Sequence, residues 1–126
     1  MAIMDPALLP ADRDHLDIED RDQLLRLENL LAQGSFDLAQ EVAEDLWIEA
    51  TDAHKDLFKG LANALTAVCA REAQKHRGAR EIANQSRVIL DPFPRRVLDM
   101  DLDLFLDSVS GFVERGEGPI LLGPRG

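Results

Sequence analysis

The segment from Phe36 to Ala50 carries the residues of this chain whose types and spacing could do chemistry. Its helical periodicity places Gln40 and Glu44 just beyond Trp47, at the border of an apolar face, and places Glu41 further round. Burial beside an indole ring disfavours the charged form of a carboxylate, and general acids and bases are made in this way. Glu44 is therefore the candidate catalytic residue.

An ordinary packing role for Glu44 is the alternative. Carboxylates are common on helix faces, and Glu44 at the border of a core could simply pair with an arginine. A single Trp47 likewise fits a core position as well as a site. This packing interpretation is the favoured one.

A metal site on this helix would have to use Glu41 and Glu44. Two carboxylates suit only a hard, oxygen-liking ion with further ligands from elsewhere, and the amide oxygen of Gln40 is a poor ligand for zinc, iron or nickel. We therefore expect no metal and no other cofactor. Asn63 of the next helix could hydrogen-bond a carboxylate and complete a cleft with Gln40, Glu41, Glu44 and Trp47, or be a satisfied buried amide that fixes helix register.

Other catalytic arrangements find little support. The three histidines, His15, His54 and His76, form no pair with the i, i+4 spacing of metal ligands, so we expect all three to be surface residues. His76, expected at the end of a helix, is explained there by the helix dipole. Cys69 has no local histidine partner, and no phosphate-binding loop or nucleophile elbow is present. Nucleophilic catalysis is disfavoured.

Apolar residues at helical spacing predict five helices and no β-structure. Start and stop residues set their approximate bounds: Glu19 to Gln33; Ser35 to Glu49 or Ala50; Ala53 to His76; Ala79 to Leu90, after a break or bend at Gly78; and Asp101 or Asp103 to Gly116. The predicted fold is an all-α, single-domain bundle in which a long third helix packs on both faces. Gly60 inside that helix marks the close approach of a neighbour, because glycine there costs about 1 kcal/mol relative to alanine.

Three regions follow from the distribution of these patterns. Residues 1–18 are acidic and contain Pro6 and Pro10, which predicts a lead-in that is flexible or loosely draped over the rest of the chain. Residues 19–115 form the bundle. Residues 116–126 form an irregular tail whose apolar centre covers the bundle or lies in a groove.

The charge balance limits the partners. The 126 residues include 24 Asp and Glu against 14 Lys and Arg, a net charge of −10. Because nucleic acids and anionic membranes are bound by basic surfaces, neither is an expected partner. A basic patch at the junction of helices three and four could receive an acidic partner or a second copy, or form routine ion pairs: Arg71, Lys75, Arg77, Arg80 and Arg87.

The predicted location is the cytoplasm. The first residues lack the basic and apolar regions of a signal peptide, and no apolar run has the length of a bilayer span. The single cysteine, Cys69, cannot form an internal disulfide and suits a reducing compartment.

A set of residues recurs here in a characteristic order: Gly34, Phe36, Glu41, Glu44 and Trp47, then Phe58-Lys59-Gly60-Leu61, then Gly78-Ala79. This order resembles that of the domain of unknown function 309 family over about Glu19 to Val113. The resemblance implies a helical bundle whose second helix carries a His-Glu-x-x-Glu-x-x-Trp-like signature, and some family members are labelled as candidate metal-dependent hydrolases. Glu41, Glu44 and Trp47 match the signature, while Gln40 stands in place of the histidine.

Two functions are therefore predicted, from different classes. The first is a non-enzymatic helical module that binds a peptide, a partner protein or a second copy of itself. The second is a hydrolase that uses Glu44 as acid or base, with or without a metal held by Glu41 and Glu44. The absence of the signature histidine favours the first.

Overall fold

A computed structural model describes residues 5–123 of this chain. Five helices account for most of them: α1 (Ile18–Ala32), α2 (Phe36–Glu49), α3 (Asp52–Glu72), α4 (His76–Leu90) and α5 (Leu102–Arg115). The predicted all-α bundle is confirmed. Within residues 5–123, no helix is both long enough and apolar enough to cross a bilayer.

Local capping sets the ends of several helices. The carboxylate of Asp17 accepts a hydrogen bond from the amide of Asp20 at 2.8 Å and so caps α1. Asp101 does the same for α5, accepting from Leu104 at 3.0 Å. Gly34, with φ of +75°, ends the turn after α1 in the left-handed conformation that glycine adopts most easily.

Helix α3 occupies the centre of the bundle. It packs against α2, α4 and α5, and its buried side chains lie on opposite faces, as the sequence predicts. Gly60 allows the closest of these approaches, because a Cβ atom built there would lie 2.5 Å from Cγ of the fully buried Leu90 on α4. The expected role of Gly60 is confirmed.

The predicted end of the third helix is wrong. Helix α3 ends at Glu72 rather than near His76, since Gln74 adopts the left-handed conformation with φ of +65°. Helix α4 then begins at His76, which places Gly78 inside its first turn rather than at a break. The explanation of His76 by the dipole at a helix C-terminus therefore fails.

The connector before α5 contains a short hairpin that the sequence analysis did not predict. Strands β1 (Arg96–Val97) and β2 (Met100–Asp101) pair antiparallel. Leu98 and Asp99 form the turn between them with φ of 49° and 58°, which is typical of a type I′ turn but without its usual glycine. Strands of two residues are too short to show alternation.

Both segments that flank the bundle pack against it. The side chains of Leu9, Leu16, Ile120 and Leu122 are buried. In the first segment the amide of Leu98 donates to Pro10 at 3.0 Å, and a 3-10 helix (Pro6–Leu8) precedes this contact. In the tail, the carbonyl of Leu122 accepts from Asp101 at 3.0 Å. Residues 5–17, which we predicted to be flexible or loosely draped, thus form a strap over the core; residues 1–4 and 124–126 lie outside the described residues.

The contrast between two helical glycines gives a test of this packing. Gly60→Ala should lower the free energy of unfolding by about 1–3 kcal/mol, because the added methyl group overpacks against Leu90. Gly78→Ala should raise it by up to about 1 kcal/mol, since nothing lies within 4 Å of a Cβ there and alanine favours helix. Urea denaturation of both variants measures the difference. Equal effects would contradict the close approach at Gly60.

Candidate functional site

Helix α2 has one buried side and one exposed side. Its buried residues follow helical spacing: Phe36, Ala39, Val42, Ala43 and Leu46. Trp47 is half-buried and packs against the core, and Gln40 and Glu44 are half-buried beside it. Glu41 is exposed. Gln40, Glu44 and Trp47 thus lie at the border of the core, as predicted, whereas Glu41 faces away from it.

A hydrogen-bond network links α2 to α3 through Gln40. Its Nε2 donates to Oγ1 of Thr66 at 2.7 Å and to Oε1 of Glu44 at 3.3 Å, and Thr66 donates to the carbonyl of Ala62 at 2.9 Å. The α3 partner is therefore Thr66, while the half-buried Asn63 takes no part in this network. The network fixes the register of the two helices, and it holds Glu44 through an amide rather than through an arginine.

Two lysines of α3 contact the end of α2. Nζ of Lys59 lies 5.8 Å from the centroid of the Trp47 ring. Nζ of Lys55 donates to the carbonyls of Trp47 and Ile48 at 3.2 and 3.4 Å. These cations therefore bind the ring and the helix C-terminus, where the dipole favours positive charge, rather than the carboxylates of α2.

A second polar cluster lies at the other end of the α2–α3 contact. Atoms of Asp37, Cys69 and Glu72 that could ligate a metal lie within 4.8 Å of one another, and within residues 5–123 this is the one such group of three. Burial, helped by Asp37, raises the pKa of the Cys69 thiol to about 12. Because the thiolate is the metal-binding form of cysteine, this environment disfavours a metal. The candidate ligands Glu41 and Glu44 belong to no such group.

The exposed side of α2 carries a row of carboxylates at i, i+4 spacing: Asp37, Glu41, Asp45 and Glu49. We call these four residues the carboxylate ladder. Leu38 and Ile48 lie on the same exposed side and are 46% and 68% exposed. Helix α2 contains no Lys or Arg, and among the ion pairs of the described residues none involves the ladder. The sequence analysis recognised an acidic helix but missed this spacing, which is a purely local signal.

His15 and His76 are exposed, as predicted, whereas His54 is half-buried and contacts His15. Nε2 of His15 lies 2.8 Å from Nε2 of His54, and only His76 stands apart on an exposed helix end. The pair lines a cavity of about 330 Å³. No local sequence pattern predicts this histidine pair, because 39 positions separate the two residues and only the path of the strap brings them together.

A larger groove of about 780 Å³ separates the end of α1 from the tail. Its polar lining comes mainly from Glu28, Asn29, Gln33 and Asp99, and tail residues 118–123 form the opposite wall. Neither this groove nor the histidine-lined cavity includes Gln40, Glu44 or Trp47. The cleft predicted beside Glu44 therefore coincides with neither.

The basic patch is engaged within the chain. Arg71 donates to the carbonyl of Val113 at 2.9 Å, and Arg87 contacts Asp107 at 3.3 Å. Arg80 pairs with Glu114, and Arg77 with Glu81. These contacts agree with the alternative of routine ion pairs and leave fewer cations for a partner.

Comparison with known protein families, with curated proteins and with solved structures found no match. The resemblance to the domain of unknown function 309 family therefore stays a prediction.

The environment of Cys69 predicts low thiol reactivity. A pKa of about 12 against an ordinary 9.0 leaves roughly a thousandfold less thiolate at neutral pH. Wild-type protein should therefore react with iodoacetamide at pH 8 far more slowly than a free cysteine does. Asp37→Asn should speed the reaction, because it removes a negative charge that opposes ionisation. In denaturant the two proteins should react alike; a fast reaction of the folded wild type would contradict this environment.

Proposed function

We propose that this chain is a non-enzymatic binding module whose α2 surface docks a basic amphipathic segment of a partner protein. The observation that carries the proposal is the carboxylate ladder, which has a single sign of charge and no cationic partner among residues 5–123. The exposed Leu38 and Ile48 supply apolar contacts on the same surface.

The ladder is unfavourable for the isolated helix. Each of its three i, i+4 pairs places like charges one turn apart, which costs about 0.2–0.5 kcal/mol per pair. Glu49 adds to this, because it lies at the helix C-terminus, where the dipole disfavours a negative charge. A cationic partner would relieve both effects, so the ladder favours binding of positive charge over any other class of ligand.

The dimensions of the ladder suit a helical partner. At a rise of 1.5 Å per residue, Asp37 and Glu49 are about 18 Å apart along α2. A partner helix of similar length, with Lys or Arg at i, i+4 spacing and an adjacent aliphatic stripe, could pair with the ladder and cover Leu38 and Ile48. Such complementarity mainly speeds association and sets specificity, so binding should weaken with salt.

The remaining predictions receive less support. Self-association through α2 would bring two ladders together, and the arginines of the α3–α4 junction already contact carbonyls or carboxylates of this chain. The hydrolase alternative would need Glu41 and Glu44 to act together, but Glu41 is exposed while Glu44 is hydrogen-bonded to Gln40. No observation favours either over a basic partner.

Peptide binding tests the proposal directly. A fluorescent Lys/Leu amphipathic peptide should bind the wild type, and its Glu/Leu counterpart should not. Glu41→Gln/Asp45→Asn should weaken binding about tenfold, because two central charges of the ladder are lost. The matched control Asp22→Asn/Glu117→Gln removes two exposed charges elsewhere and should change affinity less than twofold.

Anisotropy titrations at low and high salt measure these affinities. Equal weakening by the two double variants would mean that net charge alone attracts the peptide, and would refute docking on α2. Sedimentation of the free protein separates the remaining alternative, since a concentration-dependent dimer that Glu41→Gln/Asp45→Asn disrupts would indicate self-association instead.

The same variant gives a second prediction, on stability. Glu41→Gln/Asp45→Asn removes every like-charge pair of the ladder, so the free energy of unfolding should rise by about 0.6–1.5 kcal/mol at low salt. The gain should shrink in 1 M salt, which screens exposed charges. Urea denaturation measures it against the Asp22→Asn/Glu117→Gln control. A loss of stability would show that the carboxylates serve the fold itself.

A further inference from the structure

His15 and His54 contact each other through their Nε2 atoms, where the strap passes the start of α3. The two atoms are 2.8 Å apart, and the ring centroids are 5.1 Å apart with the planes tilted by 43°. His54 belongs to the first turn of α3 and its side chain is only 15% exposed, whereas His15 belongs to the strap and is exposed. One imidazole is therefore fixed and the other is free to adjust.

Asp52 orients the fixed imidazole. Its Oδ1 lies 2.8 Å from Nδ1 of His54 and also accepts a hydrogen bond from the backbone amide of His54 at 3.1 Å. The carboxylate accepts a hydrogen bond from Nδ1–H of His54, which leaves the lone pair of Nε2 directed at His15. Histidines that bind metals are commonly oriented by such a carboxylate.

The backbone at Asp52 supports the same geometry. Its φ of +50° lies in the left-handed region, which costs about 1 kcal/mol or more for a residue other than glycine. In this conformation the Asp52 carboxylate contacts the backbone nitrogen and the ring Nδ1 of His54. Strain of this kind is concentrated at functional sites.

The cavity beside the pair is acidic. Asp17, Asp20 and Glu49 line it together with the two histidines. Negative charge is therefore crowded at this point, which favours a cation.

We propose that His15 and His54 bind a divalent transition-metal ion through their Nε2 atoms, with water completing the shell. Imidazole nitrogen selects zinc, nickel or cobalt over calcium and magnesium. With metal–nitrogen bonds of 2.0–2.1 Å, tetrahedral ligand atoms lie about 3.3 Å apart, so the pair needs to open by about 0.5 Å. The exposed His15 can supply this movement.

Binding requires one proton to move on His15. Without metal, His15 donates its Nε2 proton to the lone pair of His54. With metal, that proton moves to Nδ1 of His15 and both Nε2 lone pairs face the ion, so neither ring loses a proton overall. The ion would join the strap to α3 across 39 positions of sequence and so fasten the first described segment to the bundle. The proposed metal site contains no ligand from the carboxylate ladder; Glu49 only lines the cavity. Metal binding here is therefore independent of peptide binding at the ladder.

Metal titration of the full chain without a histidine tag tests the site. Cobalt(II) should bind the wild type with one equivalent and a visible absorption band, and calorimetry with zinc should give the same stoichiometry. His15→Gln and His54→Gln should each weaken binding at least tenfold. His76→Gln, which removes the one histidine outside the pair, is the matched control and should bind as the wild type does.

Thermal unfolding gives an independent readout. Zinc should raise the melting temperature of the wild type and of His76→Gln but not that of His15→Gln, because a ligand stabilises only the fold that binds it. His15 is exposed, so its variant should fold even if His54→Gln does not. Absence of binding by the wild type, or equal affinity of the His15→Gln and His76→Gln proteins, would overturn the site.

Discussion

The packing of α3 against its neighbours is the constraint on which the remaining structure depends. Gly60 has no side chain, so Leu90 of α4 fills the space that a Cβ atom would occupy. On another side, Gln40 of α2 is bound to Thr66 of α3. Because α3 is covered by three helices, the orientation of each neighbour is determined by the contacts it makes with this one central rod. The carboxylate ladder, for example, lies on the side of α2 that α3 leaves uncovered.

Helix α2 shows how this arrangement produces a charged surface. Its apolar side is buried in the core, so the four carboxylates of the ladder face solvent. The two lysines nearest to α2 contact the Trp47 ring and the end of the helix rather than these carboxylates. Arg80 and Arg87 of α4 meanwhile pair with acids of α5. The ladder remains without a cationic partner among residues 5–123, and that is why a basic partner accounts for it better than catalysis does.

The strap shows a different use of residues outside the helices. Arg13 binds the carbonyl of Leu98 at 2.7 Å and pairs with Glu28, so the segment is tied to both the hairpin and α1. These ties hold His15 against His54, and Asp52 completes the arrangement from the start of α3. A segment whose composition predicts flexibility therefore contributes the His15 imidazole to the histidine pair, because a few long-range contacts outweigh its weak local preferences.

Local patterns in the sequence determined the helices, the Asp101 cap, the need for glycine at position 60 and the border position of Glu44 and Trp47. Each depends on residues within a few turns of one another, and helical periodicity carries that information. The spacing of the carboxylate ladder belongs to the same class. Tertiary structure alone decided that Gln40 meets Thr66, that Asp37 meets Cys69 and that His15 meets His54. It also decided the turn at Leu98 and Asp99, where burial of Leu98 and pairing of the short strands override the usual preference for glycine. These features join segments that are distant in sequence, and their geometry is set by how whole helices pack rather than by any local pattern.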